Sequence, residues 1–397
     1  MRIARILTRL NLGGPARQAL AADPVLRQRG HEVRLFTGTA ESGEGDLFDR
    51  FLERGLDVVR VPGLRRRPGP IADFRAGRFL RSALREFRPD VVHTHASKAG
   101  LLGRRAAWSV GAATVHTFHG HVLEGYFPER ISRMLRSTER KLAERTDAIV
   151  AVSHATADDL VRLEVVPEQR VVVVPPGVDL AALLELRARS GFLRRLVGAD
   201  ENALLVGVLG RLAEVKQPEK AIEVFELLQA RYPDLHIVFI GDGDQWGILE
   251  RRIQSGSEAV RARVHMVGAR ENMVAVLSDL DVLLMTSRSE GMPVSLIEAA
   301  AAGIPVVSTP VGGVPELVAH ERTGWLGESV DELGYGLAQY LDSEDLRRDA
   351  GSRARLRVRE RHSGQALATR LEAVYEAAVG AHSGDALPVT EGRGAFA

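Results

Sequence analysis

Two glutamates frame the segment with the clearest chemical potential. Glu290 and Glu298 flank Pro293, which marks the predicted first turn of an Ala-rich helix after an apolar strand. A carboxylate accepts two hydrogen bonds at once, which suits adjacent hydroxyls, and the free amides of a helix N-terminus bind phosphate oxygens. The segment therefore suits a ligand that combines ribose, diphosphate and sugar. On spacing alone, a loop acid and a solvated helix position explain the two residues equally well.

Two cations follow a second strand that ends in glycine. Arg211 comes directly after Gly210, and Lys216 lies five positions further on, within one predicted loop. Both side chains could neutralise a diphosphate and stabilise negative charge as it leaves. The alternative is ordinary surface basicity.

A glycine pair ahead of a helix forms a third phosphate-type loop. Gly13 and Gly14 precede Pro15, a residue that favours the first helical turn. The G-x-G-x-x-G spacing of dinucleotide-binding enzymes is missing here, which weakens an oxidoreductase interpretation.

Histidines end two further predicted strands. His93 and His95 lie on one, and His116 and His119 lie on the next. Because alternate strand residues share a face, His93 is expected beside His95, and His116 beside position 118. His119, at the carboxyl end, is best placed to hydrogen-bond a sugar or to handle an acceptor's proton. A core histidine and a zinc site of imidazole and carboxylate ligands are the alternatives.

Short apolar strands alternate with helical stretches along the chain and position these residues. This alternation is typical of an α/β fold of doubly wound parallel sheets. We predict strands at residues 3–7, 32–37, 57–61, 91–95, 114–119, 148–152, 171–174, 204–209, 236–240, 264–267, 281–286 and 305–308. A break at Pro175-Pro176-Gly177 divides two domains, predicted as residues 1–185 and 186–380, with a disordered tail at 381–397.

Composition excludes several classes of protein. A chain of 397 residues is too long for one ordinary core, and its net charge of +1 does not favour nucleic acid binding. The absence of cysteine excludes disulfides and thiolate chemistry, and it favours a cytoplasmic location. The opening residues carry too many charges for a signal peptide, and no apolar run approaches the length of a membrane span.

One basic segment stands apart from this balanced charge. Its arginines suit anionic lipid headgroups at the inner face of a membrane or a phosphate-bearing acceptor, and a solvated helix face is the plainer explanation. The arginines concerned are Arg65, Arg66, Arg67, Arg75 and Arg78.

Together these segments resemble retaining glycosyltransferase family four, the glycosyl transferases group 1, over roughly residues 1 to 375. The order and spacing of the motifs carry the resemblance. They are Leu12-Gly13-Gly14, His93 to Gly100, Val115 to His121, Pro176 to Asp179, Gly210-Arg211 with Lys216, Gly241-Asp242-Gly243 and the pair Glu290 and Glu298. Pro176 departs from the family, in which many relatives have Asn.

The resemblance implies the GT-B fold, in which two Rossmann-like domains face each other across a cleft and C-terminal helices return to the N-terminal, acceptor-side domain. It implies that Arg211 and Lys216 bind the diphosphate, Glu298 the ribose, and Glu290 the transferred sugar beside His119. The catalytic set is then His119, Arg211, Lys216 and Glu290. The implied donor contacts are Gly13, Gly14, Gly210, Arg211, Lys216, Gly241, Glu290, Gly291, Met292, Pro293, Val294 and Glu298.

The activity so implied is transfer of a hexose or N-acetylhexosamine from a nucleoside diphosphate sugar, with UDP the expected nucleotide, and with retention of configuration. The acceptor class stays open between saccharide, lipid-linked saccharide and small molecule, and the oligomeric state stays open too. No metal or other cofactor is expected, so Asp242-Gly243-Asp244 is interpreted as a loop. The alternatives are a nucleotide-sugar epimerase of the same fold and a metal-dependent hydrolase using the strand-end histidines.

Overall fold

A computed structural model describes residues 1–41, 45–120, 123–124 and 127–384. The chain divides into two compact units. The first joins Met1–Asp179 to the residues from His362 onward, and the second is Leu180–Arg361.

The first unit is built on seven parallel strands with helices between them. The strands are β1 (Arg2–Leu7), β2 (Glu32–Thr37), β3 (Asp57–Arg60), β4 (Val91–His95), β5 (Ala113–Phe118), β6 (Ala148–Ala151) and β7 (Val171–Val173). The helices are α1 (Gly14–Gln28), α2 (Phe48–Glu53), α3 (Pro70–Phe87), α4 (Ser97–Trp108), α5 (Glu129–Glu144) and α6 (His154–Arg162). The strand order is β3-β2-β1-β4-β5-β6-β7, so the chain reverses its direction of winding between β1 and β4.

The second unit repeats this plan with six strands. Its helices before the first strand are α7 (Ala181–Leu184) and α8 (Phe192–Val197). The strands are β8 (Leu204–Leu209), β9 (Leu235–Ile240), β10 (Val264–Met266), β11 (Val282–Met285), β12 (Val306–Ser308) and β13 (Gly324–Leu326), in the order β10-β9-β8-β11-β12-β13. The remaining helices are α9 (Glu219–Leu228), α10 (Trp246–Gln254), α11 (Glu258–Arg263), α12 (Met273–Leu277), α13 (Val294–Ala302), α14 (Val314–Leu317), α15 (Val330–Asp342) and α16 (Glu344–Arg361).

The last helix, α17 (Gly364–Ser383), packs on the first sheet. Its Leu371 and Tyr375 are buried in one cluster with Ile3, Val91 and Val115, which come from three strands of that sheet. Burial of this apolar face explains why the helix belongs to the first unit. The family resemblance implied such a return of C-terminal helices, whereas the predicted range 186–380 placed this helix in the second domain.

The sequence prediction identified twelve strands within a few residues of their ends, and it missed β13. That strand has only three residues and begins at a glycine, so it carries too little alternation to be recognised. Residues 381–383 of the predicted tail lie in α17, and residues 385–397 lie outside the described part of the chain. Within the described residues, no helix combines the length and the apolar character that a bilayer crossing requires.

Candidate functional site

The predicted donor-binding residues of the second unit cluster at the point where its winding reverses. Strands β8 and β11 are neighbours, while β9 lies on the other side of β8 and β12 on the other side of β11. Ligands of such sheets bind beyond the carboxyl ends of the strands at this reversal. Arg211 and Lys216 follow β8, and Glu290 follows β11. The topology therefore brings together residues that the sequence places in separate motifs.

Lys216 and Glu290 form an ion pair between these two loops. The Lys216 ammonium contacts Glu290 Oε1, and the Ser287 hydroxyl donates to the same oxygen over 2.6 Å. The Thr286 hydroxyl donates to the Lys216 carbonyl oxygen over 3.1 Å, which fixes the lysine backbone against the end of β11. The side chain of Lys216 is 28% exposed and that of Glu290 is 9% exposed, so the lysine is partly accessible to solvent while the glutamate is nearly buried.

A glycine pair after β12 supports the Glu290 loop. A Cβ atom at Gly312 would lie 1.7 Å from the Glu290 carbonyl oxygen, and Gly312 has a φ of +54°. The Gly313 N–H donates to the Gly291 carbonyl over 2.7 Å, and the Thr309 hydroxyl donates to the Ser287 carbonyl over 2.6 Å. Only glycine fits at Gly312, because both the close approach and the left-handed backbone exclude a side chain.

The loops that follow β8 and β9 lie directly against each other. A Cβ atom at Gly241 would lie 1.8 Å from the Gly210 carbonyl oxygen, and the Leu212 N–H donates to the Asp242 carbonyl over 3.0 Å. Arg211 lies between these contacts with an exposed side chain. The predicted contacts Gly210 and Gly241 are therefore adjacent, and Asp242 lies in the loop beside them.

Helix α13 begins directly after the Glu290 loop. Pro293 is its N-cap residue in extended conformation, and the buried side chains of Met292 and Val294 flank that proline. Glu298 lies one turn further into the helix and is only 7% exposed. The alternative that Glu298 is a solvated helix position is therefore wrong. A buried carboxylate one turn inside a helix N-terminus suits a ligand's hydroxyls beside its phosphates.

A corresponding cluster occupies the winding reversal of the first unit, between β1 and β4. His95 Nδ1 lies 2.9 Å from His119 Nε2, and the Arg5 guanidinium lies 3.2 Å from His95 Nε2. Gln18 of α1 approaches His119 Nδ1 at 3.5 Å. Since α1 begins at Gly14, these contacts place Gly13 and Gly14 at the N-terminus of the same helix that reaches His119.

The other histidines of β4 and β5 are satisfied inside the first unit. His93 contacts the Tyr375 hydroxyl through Nδ1 and the Thr117 hydroxyl through Nε2, both at 2.7 Å. His116 lies on the other face, with its Nδ1 2.8 Å from the Thr94 hydroxyl. The rings of His93 and His95 are 4.1 Å apart and those of His116 and Phe118 are 4.7 Å apart, which confirms the predicted sorting by face.

Burial keeps these histidines neutral. Burial and the nearby Arg5 guanidinium lower the pKa of His119 to about 3. Burial also lowers the pKa of His93, His95 and His116 well below the usual range. In the part of the chain that the structure describes, no group of three or more potential ligands among His, Cys, Asp and Glu is arranged to hold a metal ion. His121 of the predicted motif lies outside the described residues.

Several supporting residues escaped the sequence analysis. Thr286, Ser287 and Gly312 hold the Glu290 loop, and Arg5 and Tyr375 contact the histidines. A signal existed for two of them. Arg5 is a charge inside an apolar strand, and Gly312 belongs to a glycine pair after a strand, like Gly13. Tyr375 could not be recognised, because it is 282 positions away from His93 in the sequence.

Comparison with known proteins agrees with this geometry. The family model for glycosyltransferase family 4 matches residues 12–182, and that for glycosyl transferases group 1 matches residues 191–357. The D-inositol 3-phosphate glycosyltransferase of Xylanimonas cellulosilytica is 31% identical, with 87% of this chain and 85% of the relative covered. The UDP-Gal:alpha-D-GlcNAc-diphosphoundecaprenol alpha-1,3-galactosyltransferase of Escherichia coli is 27% identical, with 87% and 89% covered.

A solved structure shares the fold. The crystal structure of Anabaena Alr3699/HepE in complex with UDP-glucose superposes with a TM-score of 0.80 at 20% identity, over 95% of this chain and 99% of that chain. The assignment rests on three observations. Each unit has a parallel sheet with a reversal of winding, an ion pair joins the loops at the second reversal, and the relatives match across both units. The chain is a glycosyltransferase of family 4 with the two-domain α/β GT-B fold.

Proposed function

We propose that the enzyme transfers a hexose or N-acetylhexosamine from a UDP-sugar to an acceptor with retention of configuration. Lys216 and Arg211 bind the diphosphate, Glu298 the ribose hydroxyls and Glu290 the hydroxyls of the transferred sugar, with His119 beside that sugar. Further donor contacts are Gly13, Gly14, Gly210, Gly241, Gly291, Met292, Pro293 and Val294. UDP is favoured as the nucleotide because the E. coli relative is named for UDP-Gal and the Anabaena neighbour for UDP-glucose.

The observation that carries this proposal is the contact of Lys216 with Glu290 beside the N-terminus of α13. An ammonium has three donors, so Lys216 can keep its contact with Glu290 and still donate to a phosphate oxygen. Glu290 Oε1 accepts from both Lys216 and Ser287, and the second oxygen of that carboxylate can accept from the hydroxyls of a ligand. In this proposal Lys216 binds a phosphate oxygen while Glu290 binds hydroxyl groups of the sugar.

The proposed reaction needs charge stabilisation above all. The bond from the anomeric carbon to the diphosphate oxygen breaks, and the acceptor oxygen bonds to that carbon on the same face. The proton of the acceptor hydroxyl passes to the leaving diphosphate oxygen, so no protein base is required. Arg211 and Lys216 act by stabilising the negative charge that develops on the diphosphate.

Turnover of a sugar-nucleotide panel tests this function. The purified protein is incubated with UDP-, GDP- and ADP-sugars and with saccharide, lipid-linked and small-molecule acceptors, with and without EDTA. We expect a UDP-sugar to raise the thermal midpoint, since a ligand stabilises the state that binds it, and to yield an α-linked product from an α-donor by NMR. A β-linked product would refute retention, and loss of activity in EDTA would refute metal independence.

The epimerase alternative predicts a different product. Incubation with a nucleotide sugar alone would then give its epimer without any acceptor. We expect the donor to remain unchanged or to be slowly hydrolysed. Formation of an epimer would overturn the proposed transfer reaction.

We further propose that the N-terminal turns of α3 touch an anionic membrane, which favours a lipid-linked acceptor. Ile71 and Phe74 are 79% and 72% exposed, and they share a helix face with Arg75 and Arg78. Lys98, three residues after β4, binds Asp73 over 2.8 Å and so places this turn at the carboxyl edge of the first sheet. Apolar side chains among exposed arginines suit an interface of lipid tails and anionic headgroups. The other arginines of the patch are Arg65, Arg66 and Arg67.

Sedimentation with vesicles tests this contact. The wild-type protein should bind vesicles that contain phosphatidylglycerol and should not bind phosphatidylcholine vesicles. The double variant Ile71→Ser with Phe74→Ser should lose binding, whereas Leu227→Ser, a 52% exposed leucine of the second unit, should not. Equal binding by both variants would rule out this surface.

A further inference from the structure

A buried arginine lies at the centre of the histidine cluster. Arg5, on β1, is 1% exposed, and it pairs with Asp23 of α1 at 2.8 Å. Its terminal nitrogens also reach His95 Nε2 at 3.2 Å and the Tyr375 hydroxyl at 3.3 Å, whereas its buried Nε–H has no hydrogen-bond partner among the described residues. Burial of a charge lowers stability unless the charge is paired and hydrogen-bonded. An apolar side chain at this position of the strand would avoid that loss of stability. The arginine therefore calls for an explanation beyond stability.

The chemistry of a guanidinium fixes the proton of His95. Arginine has five donors and no acceptor, so the ring nitrogen that faces it must accept. His95 Nε2 is that nitrogen, and a neutral His95 consequently carries its proton on Nδ1. The Nδ1–H then donates to His119 Nε2 over 2.9 Å.

The hydrogen bond from His95 fixes the position of the proton on His119. Because its Nε2 accepts from His95, a neutral His119 carries its proton on Nδ1, the nitrogen directed toward α1. Gln18 Nε2 lies 3.5 Å from this nitrogen, and with the amide group turned over the Gln18 oxygen accepts a hydrogen bond from Nδ1–H until a ligand oxygen replaces it. His119 Nε2 is occupied and cannot receive a proton from an acceptor.

A second branch starts from the same arginine. Arg5 donates to the Tyr375 oxygen, so the Tyr375 O–H is free to donate to His93 Nδ1 at 2.7 Å. His93 then carries its proton on Nε2 and donates to Thr117 over 2.7 Å. One buried cation thus sets opposite tautomers in two neighbouring histidines.

We propose that Arg5 is a positioning residue which, through His95, holds His119 as a neutral Nδ1–H donor to a substrate oxygen and excludes it as a proton acceptor. The donation to substrate rests on the proposed function. The tautomer itself rests only on contacts within the first unit.

Ring nitrogen NMR tests the tautomers directly. In protein labelled with ¹⁵N-histidine, with signals assigned by single histidine variants, we expect protonated Nδ1 in His95 and His119 and protonated Nε2 in His93. Tyr375→Phe should alter the His93 signals and leave those of His119 unchanged. A His119 protonated on Nε2 in the wild-type protein would overturn the proposal without any variant.

Two substitutions of His95 test the relay. His95→Phe removes the donor, so His119 should become a mixture of tautomers, and kcat/KM with a UDP-sugar should fall about threefold to tenfold, the scale of one neutral hydrogen bond. His95→Gln, whose amide N–H can still donate, should restore the Nδ1–H form and most of the activity. Equal nitrogen shifts in His95→Phe and wild type would refute the relay. Wild-type protein that shows the expected tautomers and turns over no nucleotide sugar would refute the donation to substrate and the proposed function, but not the relay.

Discussion

The Lys216 ammonium contacts the Glu290 carboxylate across 74 positions of sequence. The two residues follow β8 and β11, the strands between which the second sheet reverses its winding. The contact joins the two strongest motifs of the sequence into one charged site.

Replacing Lys216 should disable catalysis and spare the fold. The pair is mostly buried, with Lys216 28% and Glu290 9% exposed, so loss of Lys216 should lower stability somewhat, whereas loss of a charge-stabilising donor costs roughly 10²–10³ in turnover. We expect Lys216→Ala to lower kcat at least about 100-fold in a coupled UDP-release assay while the protein remains folded at the assay temperature. Lys220→Ala, which alters a nearby lysine on α9, is the matched control and should stay active. Full turnover by Lys216→Ala would remove this residue from the mechanism.

The close approach at Gly312 should make that glycine necessary for activity. In Gly312→Ala the new Cβ atom would collide with the Glu290 carbonyl and displace its loop. Misplacement of a catalytic group by about 1 Å can cost about 100-fold in rate, and we expect a loss of that size in kcat/KM. Gly198→Ala provides the control, because Gly198 has a φ of +68° with open space around it. It should share the backbone cost of about 1–2 kcal/mol in urea unfolding and retain activity. Equal activity of the two variants would mean that the close approach of Gly312 does not position the Glu290 loop.

Glu298 should contribute to nucleotide binding through its charge. Hydrogen bonds to a charged group are stronger than neutral ones by roughly 1 kcal/mol. Glu298→Gln keeps the side-chain size, so we expect UDP affinity in calorimetry to fall about fivefold, which corresponds to this energy, while the fold survives. Glu250→Gln, on the exposed surface of α10, should bind UDP like wild type. Unchanged affinity in Glu298→Gln would mean that the ribose lies elsewhere.

Backbone strain at Ala96, directly after β4, should lower the free energy of unfolding by a measurable amount. Ala96, the N-cap residue of α4, has a φ of 61° and a ψ of 162°, a region that residues other than glycine rarely adopt. Ala96→Gly should relieve strain of about 1–3 kcal/mol and lose part of it to the greater freedom of glycine in the unfolded chain. We expect a net gain of about 1 kcal/mol in the free energy of unfolding. Ala373→Gly, at an exposed position inside α17, should instead lose about 1 kcal/mol. A loss in both variants would show that Ala96 is not strained.

The buried histidines should make the protein sensitive to acid. The pKa of His119 is about 3 in the folded state, compared with about 6.5 for an unfolded histidine. Between these values the unfolded chain binds more protons, so the free energy of unfolding should fall as pH decreases from about 6.5 toward 3. Urea unfolding at pH 7.5 and 5.0 should show this loss, and it should be smaller in His119→Gln. An identical pH dependence in the variant would mean that His119 is charged in the folded protein.

Local sequence patterns were sufficient to predict the parallel α/β architecture and to identify the charged and glycine motifs. Strand periodicity, glycine-ended strands and helix-start prolines are local signals, and each depends on neighbours within a few residues. Lys216, Glu290 and His119 were identified for this reason, and so was the sorting of His93 and His95 onto one face.

Contacts between residues that are far apart in the sequence could not be predicted from local patterns. The burial of Glu298 and the fit of Gly312 against Glu290 both depend on segments that share no local pattern. Tyr375 contacts His93 over 282 positions, and no periodicity encodes such a pairing. Such contacts form because the whole sheet and its helices, and not any single segment, bury the apolar faces and complete the buried hydrogen bonds.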